Sequence, residues 1–195
     1  SRGLGDVYKR QTQKGETTYG DTDTIITNQN KDIASSNTVT IETNDKNDKV
    51  EVTLKDVNIN VGSDSGSALT SNGDVTLTLK GDNSLTGGNG GSGISSNGSL
   101  TITGGENDSL TAKGGSGRSG IFSSGGVTIS GGTVNATGGS SGSDSGDGIH
   151  SGSLTMKGGT VNAKGGSGAD GGSGIRTFSS GGVTISGGLS LIHIS

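Results

Sequence analysis

The chain of 195 residues has no cysteine, no proline and no tryptophan, and its aromatic residues are two phenylalanines and two tyrosines. Without cysteine there is neither a disulfide scaffold nor a zinc–thiolate site. Hydrophobic residues make up only 24% of the chain, too few to fill a conventional globular core. No stretch is apolar enough for membrane insertion. A net charge of −4 with scattered lysines disfavours nucleic acid and anionic membranes as partners.

Glycine is abundant, with 42 residues, and such a composition alone would indicate disorder. However, the decapeptide SSGGVTISGG occurs twice, at Ser123–Gly132 and at Ser179–Gly188. Alignment on the glycine pairs gives a repeating unit of about 27 residues. A unit in which the few apolar residues recur at fixed places favours a stacked repeat over a disordered chain.

Each unit contains three short segments: Gly-Ile-x-Ser, then Val/Leu-Thr-Ile-x-Gly-Gly, then Val/Leu-x-Ala-x-Gly-Gly. Their alternation has a period of two, which is typical of a strand with one buried face. Strands this short bury a face only when they stack on the equivalent strands of neighbouring units, about 4.8 Å away. The sequence therefore predicts an all-β fold, a parallel β-helix with three short strands per rung.

The alternation also predicts three sets of inward side chains. The middle segments give Val52, Leu77, Leu100, Val127, Leu154 and Val183, with Leu54, Leu79, Ile102, Ile129, Met156 and Ile185 two residues later. The last segments give Val57, Leu85, Leu110, Val134 and Val161, accompanied by Ile59, Ala112, Ala136 and Ala163. The first segments give Ala68, Ile94, Ile121, Ile149 and Ile175.

These repeats occupy residues 50–188. In residues 12–49 the strand-like segment TVTIET lies too close to the next strand for a full rung. This part is therefore predicted to be an N-terminal cap or an abbreviated rung. Residues 1–11 and 189–195 depart from the surrounding composition and resemble translated sequencing-adapter sequence from metagenomic reads. Both are interpreted as non-native tails, which would make the chain an internal fragment. The alternative is a genuine basic N-terminus and an apolar C-terminal strand.

The stretch VEVTLKDVNINVGSDSGSALTSNGDVTLTLKGDNSLTGG, followed by repeats of the form GIxSxGxLTIxGGTVNAxGG, resembles the carbohydrate-binding β-helix proteins of bacterial cell surfaces. The similarity covers residues 38–188. It implies an exported right-handed parallel β-helix, secreted or displayed on the cell surface. Some proteins of this group bind plant polysaccharide, including acidic polymers, without cleaving it. Some of these proteins hold calcium in their turns, whereas the turns of this chain contain mainly Gly and Ser.

A variable outward position follows each inward isoleucine, and the sequence places Leu69, Ser95, Phe122, His150 and Arg176 there. Phe122, His150 and Arg176 are predicted to line up on three successive rungs. An aromatic ring that stacks on a sugar, beside two hydrogen-bond donors, is a suitable platform for a polysaccharide. The alternative is that these are ordinary surface residues.

The acidic residues of the turns are candidate ligands for calcium, which prefers six to eight oxygen atoms. The candidates are Asp144, Asp147 and Asp170; Asp170 lies in GGSGADGGS, which begins like a calcium-binding nonapeptide repeat. A polysaccharide hydrolase or lyase would need acids that converge on one spot, and no two acids are predicted to match on a strand face.

The predicted function is therefore a non-catalytic carbohydrate-binding module. The alternatives are a structural spacer or adhesin repeat without a ligand, and an enzyme that acts on polysaccharide. A column of outward threonines, including Thr101 and Thr128, adds ice binding as a further alternative, although lysines interrupt the array. Packing of β-branched residues along the ladder explains these threonines more simply.

Overall fold

The computed structural model describes residues 2–3, 8–9, 24–43, 48–178, 180–186 and 190–195. Among these residues there are strands and turns but no helix. The strands are parallel and form a β-solenoid of about 6 turns, with equivalent residues about 27 positions apart. This confirms the predicted fold class.

The strands form three stacks along the solenoid. The first stack contains β2 (Tyr8–Lys9), β4 (Val39–Glu42), β7 (Leu69–Asn72), β10 (Ile94–Asn97), the beginnings of β13 (Ile121–Ile129) and β15 (Ile149–Met156), and β17 (Ile175–Thr177). The second contains β1 (Arg2–Gly3), β3 (Ile25–Thr27), β5 (Lys49–Lys55), β8 (Asp74–Lys80), β11 (Leu100–Gly104), the ends of β13 and β15, and β18 (Val183–Ile185). The third contains β6 (Asn58–Asn60), β9 (Asp82–Thr86), β12 (Ser109–Ser116), β14 (Thr133–Gly139), β16 (Gly159–Lys164) and β19 (Ser190–Ile194).

The core is the interior of the coil, where equivalent side chains lie directly above one another. Leu100 pairs with Val127, which pairs with Leu154, and all three are fully buried. Each strand buries alternate residues, as the period of two predicts. Burying one such side chain contributes about 1.5–3 kcal/mol, so a column repeated over several rungs stabilises a chain with few apolar residues.

In the second stack the predicted register is wrong by two residues in the earlier rungs. Val75 pairs with Leu100, and Leu77 pairs with Ile102, although Leu77 was predicted opposite Leu100. Strand β8 has a third inward residue, Leu79, so the alternation permits either alignment. A shift of two residues leaves every side chain on its predicted face, because only odd shifts exchange the faces.

The third stack differs from the prediction at Asn83, which lies opposite Leu110, where Leu85 was expected. Leu85 instead pairs with Ala112. Asn83 is buried, and its Oδ1 accepts a hydrogen bond from the backbone N–H of Val57 at 2.8 Å. The predicted alignment used apolar residues only, so it did not place Asn83 in the interior. The side chain can be buried there because backbone groups form hydrogen bonds with it.

The first stack corrects two further predictions. Leu69, not Ala68, pairs with Ile94, so Leu69 is fully buried instead of outward. Thr70 takes the outward place next to Ser95. The second inward position of this stack is a column of buried serines: Ser71, Ser96, Ser123 and Ser151.

The described residues before Val50 follow the same three stacks. Strand β3 pairs with β5, Ser35 forms an isolated bridge with Ile59, and β4 pairs with β7. In the predicted N-terminal tail, β1 pairs with β3 and β2 pairs with β4. The rest of this tail lies outside the described residues.

At the other end, Val183 and Ile185 stack on Leu154 and Met156. They were predicted to be inward and buried, but they are 46% and 61% exposed, because no described strand covers β18. In the predicted C-terminal tail, β19 pairs with β16. The proposed foreign origin of both tails stays a prediction.

Glycines lie where strands and turns approach each other too closely for a side chain. A Cβ atom at Gly120 would lie 2.6 Å from the carbonyl oxygen of Ala112 and 2.8 Å from the backbone nitrogen of Thr137. Backbone atoms at this distance have to move to make room. This close approach explains why each Gly-Ile-x-Ser segment begins with glycine.

We expect Gly120→Ala to lower the free energy of unfolding by about 1–3 kcal/mol, because an extra methyl group overpacks the interior. The matched control is Gly142→Ala, since a Cβ there would meet no atom within 4 Å and its φ is not positive. Urea denaturation of both variants measures the difference. If the two variants were equally stable, the backbone around Gly120 would have room for a methyl group, and the explanation would be wrong.

One turn between the second and third stacks is held by Asp108. Its Oδ1 accepts a hydrogen bond from Gly81 N at 2.9 Å, and its Oδ2 accepts one from Gly105 N at 2.8 Å. These bonds, chiefly the one from Gly81, favour the ionised carboxylate and hold the pKa of Asp108 below its ordinary value of 3.8.

Because the pKa is lower in the folded state, Asp108 contributes stability above pH 3.8 that is lost as the pH falls through the folded value. Asp108→Asn should lower the melting temperature at neutral pH, and the difference from the unmodified chain should shrink in stronger acid. Melting curves over a series of pH values check this. A difference that is constant with pH would show that the carboxylate charge is not involved.

Candidate functional site

The outward positions of the first stack carry the residues that the sequence singled out. Phe122 on β13 pairs with His150 on β15, which pairs with Arg176 on β17. The structure thus places the three side chains on successive rungs, as the repeat alignment predicts. Phe122 and His150 are half-buried, and Arg176 is exposed.

His150 lies between two phenylalanine rings. The ring centroids of Phe122 and His150 are 5.5 Å apart with an interplanar angle of 87°, and those of His150 and Phe178 are 5.2 Å apart with an angle of 80°. Both are edge-to-face contacts, which aromatic rings favour. Sequence reasoning missed Phe178, because the segment IRTFSS carries an insertion relative to GIFSS and so falls outside the repeat template.

Asp147 is the buried charge at the centre of this group. Its Oδ2 lies 3.3 Å from Arg176 Nε and 3.6 Å from His150 Nδ1, and its side chain is 6% exposed. Its Oδ1 accepts a hydrogen bond from the backbone N–H of Ser173 at 2.8 Å. The sequence predicts Asp147 as a calcium ligand, and the structure shows that its carboxylate contacts His150 and Arg176.

The same position in earlier rungs is a serine. Ser67 Oγ accepts a hydrogen bond from Ser92 N at 3.0 Å, just as Asp147 accepts one from Ser173 N. The backbone carbonyl of Asp147 accepts a hydrogen bond from Gly120 N, which places Asp147 next to Ser119 on the rung below. Asp147 therefore keeps the backbone contact of the serine column and adds a charge.

The other two predicted calcium ligands lie in turns. Asp144 and Asp170 are exposed and pair with each other in an isolated parallel bridge, and Ser145 N donates a hydrogen bond to the carbonyl oxygen of Asp170 at 3.0 Å. In the described part of the chain no three Asp, Glu or His side chains come together as a metal site. The structure thus brings Asp144 and Asp170 together, while Asp147 binds other partners.

These residues surround a groove of about 620 Å³. Its charged and aromatic lining comprises Arg118, Phe122, Asp144, His150, Asp170 and Arg176. Its floor includes Asp147 and the serines of the same column, Ser67, Ser92 and Ser119. The groove therefore crosses several rungs and combines an aromatic ring with charges of both signs.

No family model, no curated protein and no solved structure matches this chain. In the described residues there is no helix long and apolar enough to span a membrane. What the protein does therefore has to be inferred from the groove.

Two substitutions of Asp147 separate its charge from its backbone contact. Asp147→Ser restores the residue of the other rungs, so we expect it to keep a hydrogen bond to Ser173 N while it releases His150 and Arg176. Asp147→Ala also loses the hydrogen bond, and should be less stable than the serine variant by about 0.5–1.5 kcal/mol. Urea denaturation measures both variants, and equal stabilities would contradict the proposed backbone role.

Proposed function

We propose that this chain is a non-catalytic polysaccharide-binding module of an exported bacterial protein, and that the groove over the first stack is its binding site. We also propose that the chain is related to the carbohydrate-binding β-helix proteins of bacterial cell surfaces, which its repeats resemble. The observation that supports it best is the arrangement of Phe122, His150 and Arg176 around the buried carboxylate of Asp147.

Phe122 supplies an apolar surface in an otherwise polar groove. The C–H face of a pyranose packs on an aromatic ring, while its hydroxyl groups need donors and acceptors nearby. Phe122 is half-buried and packs against the His150 ring in an edge-to-face contact, which restricts its orientation before a ligand arrives. A ring that is already fixed loses little conformational entropy on binding.

Arg176 supplies hydrogen-bond donors. Its Nε faces Asp147, and the side chain is 56% exposed. The two terminal nitrogens are therefore available to contact a ligand. A guanidinium group has five N–H donors in a planar arrangement and suits the paired hydroxyl groups of a sugar. Because Asp147 is buried and bound to the backbone, the ion pair holds Arg176 better than an exposed acid would.

The shape of the groove suits a polymer. Its lining extends from Ser67 to Arg176, across four steps between rungs, or roughly 19 Å at about 4.8 Å per step. A site that extends along the axis of the solenoid can contact several sugar units of one chain. Several weak contacts to a repetitive ligand add up to useful affinity.

The proposal of a non-catalytic site rests on the environment of the acids. Glycoside hydrolysis uses two carboxyl groups on either side of the scissile bond, one of which donates a proton. Both oxygens of Asp147 are occupied, by Ser173 N on one side and by His150 and Arg176 on the other. Because both oxygens already face these partners, neither is placed to donate a proton to a glycosidic oxygen.

A glycan array, followed by calorimetry with the polysaccharide that binds, tests this proposal. We expect Phe122→Ala and Arg176→Ala each to weaken binding by about tenfold or more, which corresponds to 1.4 kcal/mol. The control variants are Thr101→Ala and Lys157→Ala, which change residues outside the groove lining.

Each of three results would contradict the proposal. Absence of binding to any glycan would favour a spacer or adhesin repeat. Binding that both groove variants retain would place the site elsewhere. Release of reducing ends or unsaturated products from a bound polysaccharide would show an enzyme.

A further inference from the structure

We propose that the groove prefers polysaccharides with free amino groups, and that Asp144 and Asp170 bind the ammonium group of an amino sugar. This inference rests on the proposed function, because it names the class of sugar that the same groove would take. It starts from the charges that the groove leaves without a partner.

One of the two arginines that line the groove is already neutralised. Arg176 is paired with Asp147, so Arg118 is the remaining permanent cation of the lining. Against it are the carboxylates of Asp144 and Asp170, neither of which forms an ion pair within the described residues. The unpaired charge of the groove is therefore negative, and so is the net charge of the chain.

Asp144 and Asp170 lie side by side on successive rungs, where their backbones form a parallel bridge. Like charges directly opposite each other on paired backbones destabilise the pair. A cation between the two carboxylates would replace this repulsion with two attractions. An ammonium group has three N–H donors, enough to serve both carboxylates and one further acceptor.

A second observation concerns the serine column on the floor of the groove. Ser92 and Ser119 are only 6% and 8% exposed, and both line the groove. Within the described residues neither hydroxyl group has a hydrogen-bond partner. Ser71 Oγ is also without a partner but is fully buried, whereas the oxygens of Ser92 and Ser119 are not. Each hydroxyl therefore reaches open space, and the groove provides it. A ligand in the groove can therefore bond to these hydroxyl groups in place of solvent.

Calcium is the rival occupant of the acid pair. It prefers six to eight oxygen ligands, whereas Asp144 and Asp170 supply two carboxylates and the described residues bring no third acid to them. An ammonium group needs fewer partners and is covalently attached to a sugar that Phe122 can hold. The geometry thus favours an amino sugar over a bare metal ion.

The experiment compares two hexasaccharides of equal length, one of β-1,4-linked glucosamine and one of β-1,4-linked N-acetylglucosamine. Calorimetry is done at mildly acidic pH, where the free amine is protonated. We expect the glucosamine oligomer to bind about tenfold more tightly, with an affinity that falls as salt is added. A hexamer of galacturonic acid should bind more weakly than either.

The variant Asp144→Asn/Asp170→Asn should abolish the preference, because it removes both carboxylate charges from the groove. Both residues are exposed, so the fold should tolerate the change. The control Glu51→Gln/Glu106→Gln removes the same charge from exposed residues outside the groove lining, and should retain the preference. Ser119→Ala should weaken binding of the glucosamine oligomer.

The outcomes distinguish the two proposals. If both hexosamine oligomers bind equally, or if the control variant loses the preference as well, the inference is wrong while the proposed function stands. If neither these oligomers nor any glycan on the array binds, both are wrong. If calcium chloride gives a binding isotherm that the Asn variant loses, and the glucosamine oligomer gives none, the acid pair is a metal site and the inference is overturned.

Discussion

The structure depends on the in-register stacking of parallel strands, in which each rung satisfies the backbone hydrogen bonds of the next. Strands of two to nine residues are not stable alone, and the interior that they enclose is narrow. This constraint explains the composition. The third stack fits both larger and small side chains in one buried column, with Leu85 next to Ala112 and Ala136. At Gly120 the neighbouring backbone lies too close for any side chain. A chain with 24% hydrophobic residues can therefore still have a continuous core.

The same constraint decides which polar residues the interior accepts. Asn83 is buried because the backbone N–H of Val57 and two carbonyl groups meet its amide. Ser123 donates a hydrogen bond to the carbonyl oxygen of Gly98 at 2.8 Å. Ser71 Oγ is the one fully buried side-chain oxygen or nitrogen of the described residues that lacks a hydrogen-bond partner. A polar side chain can thus be buried where neighbouring backbone groups form hydrogen bonds with it. Whether such groups are present differs from rung to rung.

One substitution in a repeated column organises the charged part of the groove. Asp147 stands where other rungs have serine, and it keeps the backbone hydrogen bond of that position while it orients His150 and Arg176. Outward positions are free to vary because they do not pack in the interior. A solenoid can therefore gain a binding surface without any change to its core, since the residues of the surface and of the core alternate along the same strands.

The sequence by itself determined the fold, the inward and outward faces of strands such as β10, β13 and β15, and the alignment of Phe122 with His150, because the repeat length and the period of two fix all three. Only the tertiary structure decided that Leu77 lies opposite Ile102, that Asp147 is buried, and that Phe178 reaches His150. The physical reason is that alternation fixes the face of a residue but not its neighbour on the next rung. That neighbour depends on turns of unequal length and on hydrogen bonds between side chains and backbone, which no periodic pattern records.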